Sequence, residues 1–357
     1  MEQKARENMI DPQADLQSDI YMMALIEANN CNPNGDTVDN KPNQLHDGSE
    51  RGFLTHGWFT RLLRDAVEKE HEGTILDLKR EDMPDFLCQK NRLLKIDEYV
   101  KAVRAKDINK AKAILCRLFF DVRAIGDVML SAKELAVKEE NTPAVLKDST
   151  SAESAVENTA ENAKGNQKAK KETAKYDGFH INGPFSLETA ISICPIKIED
   201  VGIACSTNRS NDGTEPERSS LGHQYFLFHG LYPFFGGFKK FLAGKTHFTE
   251  GDLVIFKEAV DNMVKNYASM SRASGTLTLR GVIWWRKKKG KDVLEGDLRK
   301  SVKFELRDGV SIPTNIDDYV ITLRDNPDTD IDVHDFGANF LDEEGHLWAQ
   351  RYAYKKG

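Results

Sequence analysis

No apolar run in this chain of 357 residues reaches the length of a membrane span, and the longest, near Tyr21–Ile26, is strand-sized. The opening residues MEQKARENMI lack an apolar core ahead of a small-residue cleavage site, so no secretory signal is expected and a cytoplasmic location is. Cysteine is sparse. Cys31, Cys88, Cys116, Cys194 and Cys205 are odd in number and widely scattered, without a CxxC pair, which excludes a disulfide framework and a standard zinc site. Catalytic signatures are missing too: the chain has no HExxH, GxSxG or GxGxxG. Gly244–Thr246 reads GKT, but the glycine a phosphate loop needs five positions earlier is Lys239. Asp328, Asp330 and Asp332 alternate as in a calcium loop, yet Val333 stands where the loop needs glycine and Asn339 where it needs glutamate. No cofactor is expected.

Charge is present in quantity but unevenly placed. The chain carries 50 Lys and Arg against 57 Asp and Glu, a net charge of −7 that argues against indiscriminate nucleic-acid binding. Between Asp308 and Leu347 stand 11 acidic residues and one basic, whereas Arg280–Lys303 holds nine basic and three acidic. The acidity therefore belongs to the C-terminal segment, and the remainder can carry a basic groove.

Hydrophobic periodicity supplies the elements. DIYMMALIEA at 19–28 is apolar on both faces and reads as a buried strand. Trp58, Phe59, Leu62, Leu63, Ala66 and Val67 recur at helical spacing. Residues 76–118 read as mostly helical, and Gly126 breaks the apolar stretch 118–130. From 131 to 178 the composition shifts to Ala, Glu, Lys, Asn, Ser and Thr, too polar to offset its ordering entropy, which predicts a flexible insertion. Phe185, Leu187, Thr189, Ile191 and Ile193 alternate with polar and small residues as one strand. A polar stretch at 206–220 precedes the strand-like HQYFLFHGLYPFF. Thr249 and Asp252 form a capping-box signature for a helix ending near Ser271, and TLTLRGVIWW is a last strand running into a basic turn. The order β–α–helical insert–β–β–α–β predicts an α+β fold of ferredoxin-like or RRM type with elaborations.

Basic positions are the remaining candidates. Arg61 and Arg64 share a helix face and can grip adjacent phosphates, although Arg61–Asp65 and Arg64–Glu68 also have the spacing of ordinary ion pairs, which spacing alone favours. Arg123 lies in apolar FDVRAIG, where its charge needs either a buried carboxylate or a phosphate. Arg272 follows a helix end and can equally well satisfy terminal carbonyls. His223 and His229 lie in an aromatic strand, where histidine is more often structural.

Several segments, in order, resemble one family. They are NPNGD at 32–36, the Arg61/Arg64 helix, FFDVRAIGDVM at 119–129, NGPFSLETAISICPI at 182–196, HGLYPFFGG at 229–237 and the block from FTEGDL at 248 to TLTLRG at 281. Together they look like the repeated backbone subunit of type I CRISPR surveillance complexes (Cascade), closest to subtypes I-C and I-B. The resemblance implies a modified RRM core shaped like a hand, with helical insertions and a β-hairpin thumb near 203–222. It implies a non-catalytic subunit in CRISPR antiviral defence that polymerises head to tail along guide RNA, holds its backbone and presents its bases to target DNA. Further partners would be the other Cascade subunits: the 5′-handle-binding, large and small subunits. The expected division is a flexible 1–18, core over 19–130 and 179–307, the insertion 131–178, and an acidic 308–357.

The candidate RNA-binding set is Arg61, Arg64, Arg123, Arg209, Arg218, His223 and Arg272, with no catalytic and no metal-ligating residue. Three departures from the family's pattern stand out. Asn43 follows Pro42 where arginine is common, Leu221–Gln224 replaces a stretch with two more cations, and the 131–178 insertion has no counterpart. Two alternatives stay open: an RNA-cleaving relative of the type III kind with Asp212 as its thumb acid, or a single-stranded RNA-binding protein outside CRISPR immunity.

Overall fold

The computed structural model describes residues 11–36, 38–76, 93, 95–129, 179–204, 221–265, 267, 269 and 271–348. In chain order its strands are β1 (Ile20–Cys31), β2 (Arg51–Leu54), β3 (Gly126–Met129), β4 (Phe179–Asn182), β5 (Phe185–Leu187), β6 (Ala190–Pro195), β7 (Ile198–Ala204), β8 (Leu221–Phe238), β9 (Leu277–Lys287), β10 (Val302–Leu306), β11 (Tyr319–Leu323) and β12 (Thr329–Asp335). The helices are α1 (His56–Glu70), α2 (Asp97–Arg104), α3 (Ile108–Leu118), α4 (Phe120–Ala124), α5 (Lys240–Thr246), α6 (Glu250–Asn262) and α7 (Glu295–Lys300). This is an α+β molecule. None of its described helices is long and apolar enough to cross a membrane.

β1 is the centre. It pairs antiparallel with β8 on one side and β9 on the other, β12 lies outside β9, and β5 and β7 both pair with β8. Because side chains alternate across a strand, its apolar run supplies two cores at once. Met22, Ala24 and Ile26 join Phe59 and Leu63 of α1 and Phe256 of α6 on one face. Met23 and Leu25 face the other way, against Val302, Tyr319, Ile321, Phe340 and Trp348. The neighbours Trp284 and Trp285 of β9 divide in the same manner, each buried in a different core. A third cluster joins α2, α3, α4 and β4 through Tyr99, Leu115, Val122 and Ile181.

Local chemistry fixes the helix starts. The Thr55 side chain accepts from Trp58 N at the head of α1, and Thr249 with Asp252 forms the expected capping box on α6. α6 nevertheless ends at Asn262, short of the expected Ser271, and the chain continues in successive turns from Lys265 N to Asn262 O and from Tyr267 N to Val264 O. The alternation over 185–193 is not one strand. β5 pairs with β8, while β6 leaves to pair with β2, and the break at Glu188–Thr189 reverses the phase, burying Ala190 and Ser192 and exposing Ile191.

Residues 308–348, expected only as an acidic segment, supply β11, β12 and the buried Phe340 and Trp348. Their aspartates have partners on neighbouring elements: Asp332 with Lys257 of α6 at 2.8 Å and Asp328 with Lys291 of the turn after β9 at 2.8 Å. The insertion 131–178 lies outside the described residues. Its two flanks meet, since Met129 of β3 is directly opposite Phe179 of β4.

Candidate nucleic-acid interface

The loop leaving β1 organises one end of the sheet. Asn34 Oδ1 accepts from Thr55 N at 3.1 Å and Thr55 Oγ1 at 3.2 Å, tying the loop to the head of α1. Asp36 Oδ1 accepts from the backbone N–H groups of Val38, Asp39 and Asn40, and these bonds, that of Asp39 foremost, hold its carboxyl below the usual carboxylate range. Arg272 reaches the same loop, donating to Pro33 O at 2.9 Å and to Ser269 Oγ at 3.1 Å, with its guanidinium 5.0 Å from the Tyr267 ring centroid. Lys41 projects from the far side of the loop. It pairs with Asp39 at 3.1 Å and stands 5.0 Å from the ring centroid of Tyr225 on β8.

That contact joins the loop to a hairpin. β7 and the first half of β8 pair from Ile198↔Leu227 to Ala204↔Leu221 and carry the chain toward residues 205–220. His223 is exposed on this hairpin, its Nδ1 2.8 Å from Asp200 Oδ1 and its ring stacked with Tyr225 at 6.3 Å. A line of cationic and aromatic groups therefore runs from Arg272 through Lys41 to Tyr225 and His223. Arg61 is exposed on α1, the helix capped against this loop.

Two candidates are held by buried carboxylates. Arg64 Nε donates to Asp121 Oδ2 at 3.1 Å, and the buried Asp121 also accepts from Leu76 N at 3.0 Å. Arg123 forms a two-pronged pair with Asp252, Nε to Oδ2 at 2.9 Å and Nη2 to Oδ1 at 2.7 Å, and donates to Cys116 O at 2.7 Å. Of the two partners its apolar setting allowed, it has the buried carboxylate. Arg209, Arg218 and Asp212 lie outside the described residues.

Sequence reasoning passed over Lys41, although a cation beside Pro42 was a usable signal where the expected arginine is Asn43. It also passed over a buried polar network under the hairpin. Glu27, fully buried in β1, accepts from Arg280 Nε at 2.6 Å. His229 Nδ1 donates to Asn29 Oδ1 at 2.7 Å and its Nε2 lies 3.3 Å from the Tyr319 hydroxyl. Burial pushes His229 below its ordinary value, against the opposing pull of the Glu27 carboxylate. The signal was a glutamate inside an otherwise apolar strand.

One grouping of metal-ligand types occurs among the described residues, Asp342, Glu344 and His346. It belongs to a turn: Asp342 Oδ1 accepts from the backbone N–H of Glu344 at 3.0 Å and of His346 at 2.8 Å.

A family model described as CRISPR-associated protein Cas7 matches residues 18–324. Among solved structures, the chain is similar to one described as a CRISPR RNA-guided surveillance complex, pre-nicking. The two are 13% identical with a TM-score of 0.40, over 77% of this chain and 80% of that one. A second, described as a CRISPR RNA-guided surveillance complex, is 10% identical with a TM-score of 0.39, over 95% of this chain and 100% of that one. No curated protein matches.

Proposed function

Since the chain belongs to the CRISPR-associated protein Cas7 family, we propose that it is the non-catalytic backbone subunit of a CRISPR effector, lining up in copies along a guide RNA. The family match over residues 18–324 carries this reading. Its partners are the guide RNA, further copies of itself and the other subunits of the surveillance complex, with target DNA engaged through the guide.

In this reading the core is a modified RRM. The strand order β9-β1-β8-β5, with α1 and α6 on one face, is that of a βαββαβ unit, and the β7–β8 hairpin is the base of a thumb extending through 203–222. RRM proteins that read bases stack them on open sheet aromatics. Here that second face is covered by residues 293–348, which leaves the RNA the loop, the hairpin and the head of α1. Cations spaced along such a rim grip phosphates and leave base edges exposed, so pairing rather than protein reads the sequence. Arg61, Arg272 and His223 hold the backbone together with Arg209 and Arg218 of the thumb, and Lys41 joins them. Arg64 and Arg123 act through the packing of α1, α4 and α6.

The test is to purify the full chain with its bound RNA, sequence that RNA and sediment the complex. Guide-length RNA in multi-copy assemblies is the expected result. A protein that stays monomeric on guide RNA at low salt overturns the reading. Magnesium-dependent cutting of complementary RNA, abolished by Asp212→Ala, overturns its non-catalytic part.

A further inference from the structure

The two ends of β8 carry unlike exposed patches. At the hairpin end, the register places Glu199 opposite Phe226 and Val201 opposite Gln224, so the face turned away from Tyr225 mixes Phe226 and Val201 with polar neighbours. Phe228 there is 43% exposed, and Ile312 from the C-terminal half is 76% exposed. Both line a cleft of about 270 Å³ with Pro313, Thr314 and the buried His229. Lys197 and Glu199 pair with each other at 2.9 Å, so this face offers a phosphate no net charge. The flanking loop 307–318 holds three aspartates against one arginine.

At the other end, three residues past Phe238, α5 holds out Phe241. This side chain is 73% exposed, Lys245 Nζ stands 4.2 Å from its ring centroid, and Lys240 is exposed beside it. The interval from Phe228 to Phe238 spans about 33 Å at 3.3 Å per strand residue. One strand thus separates a cleft centred on Phe228 and Ile312, lined also by Lys197 and flanked by the acidic loop 307–318, from a cation-flanked aromatic knob.

We propose that these patches are the two halves of a single contact between copies: Phe241 of one chain enters the Phe228–Ile312 cleft of the next, and Lys240 and Lys245 face the aspartates of loop 307–318. The proposal rests on the reading that the chain assembles with copies of itself and adds the surface by which it does so. Unlike patches at opposite ends make a heterologous interface, which repeats without closing when the rotation does not return on itself. An aromatic side chain seated in a pocket is the usual energetic centre of such a contact, and the opposed charges fix its orientation.

The experiment uses full-length chain and a long single-stranded RNA in molar excess, so that copies share a strand only if they touch. Wild-type chain is expected to sediment as multi-copy clusters. Phe241→Asp and Ile312→Asp, each melting at the wild-type temperature, are expected to sediment as single copies while binding short RNA as tightly as wild type. Mixing the two variants should restore pairs and nothing longer, because the Phe241→Asp chain keeps its cleft and the Ile312→Asp chain keeps its aromatic. Phe241→Ser and Ile312→Ser repeat the test with a smaller change should either aspartate variant unfold. Clustering of both variants like wild type overturns the proposal, as does a mixture that stays single while another subunit or nucleic acid occupies the cleft. Wild-type chain that binds RNA and never clusters fails at the assembly reading itself, a separate and recognisable result.

Discussion

Arg61 and Arg64 sit one helical turn apart in different surroundings. Arg64 is half-buried against Asp121, whereas Arg61 is exposed, where an ion pair contributes at most about 1 kcal/mol. Arg61→Ala should therefore leave the melting temperature nearly unchanged and weaken RNA binding to a similar degree for unrelated spacer sequences. Filter binding on several guides checks this, and a loss confined to one sequence contradicts a backbone grip. Arg123→Ala should do the reverse. It strands the buried Asp252 without its cation, which costs on the order of 3 kcal/mol in chemical denaturation. Spacing alone could not separate these arginines. What distinguishes them is a carboxylate 129 positions away in the case of Arg123 and 57 in the case of Arg64, and no local pattern encodes such partners.

Among the elements, β12 is held to α6 by charge. His334 Nδ1 lies 2.8 Å from Asp261 and its Nε2 3.4 Å from Asp332, which also takes Lys257. Hydrogen bonds to Asp261 and then Asp332 raise the imidazole to about 9. A histidine whose folded value lies above its unfolded 6.5 contributes fully below that pH and loses its contribution as pH rises through 9. Wild-type chain should accordingly lose on the order of 1 kcal/mol more than His334→Gln between pH 6 and pH 10, once solvent screening of the half-exposed cluster is allowed for. Urea melts of both proteins at the two pH values measure it. β12 was hidden in the sequence because its acids read as solvent-facing, and their partners Lys257 and Lys291 come from α6 and the turn after β9. β1 and α1 were legible, since each carries its own pattern, an unbroken apolar run in one and a stripe of six apolar residues in the other. The 185–193 alternation misled because pairing passes from β8 to β2 partway along, a change of partner that periodicity cannot register.

At the scale of the whole molecule, the flanks of the 131–178 insertion meet at the Met129↔Phe179 pair, so a short turn can bridge them. Replacing residues 131–177 with such a turn should keep the melting temperature within a few degrees. A large drop would show that the insertion contributes to the core. RNA affinity should fall steeply with salt, about tenfold or more between 50 and 200 mM, because each phosphate contact releases counterions. Equilibrium binding across that range tests it. The acidic segment 308–348, part of the layer that covers the second sheet face, should work in the same direction, since its negative charge disfavours nucleic acid on that face.

The central strand is also synthesised well before either of its neighbours. β1 must wait for β8 and β9, and the bond between Asn29 and His229 closes a separation of 200 residues. At about 5–20 residues per second, a strand apolar on both faces stays without neighbours for roughly ten to forty seconds on the ribosome. Yield in a heterologous host should therefore follow the supply of nascent-chain chaperones and slower, cooler growth more closely than it follows the stability of the finished protein.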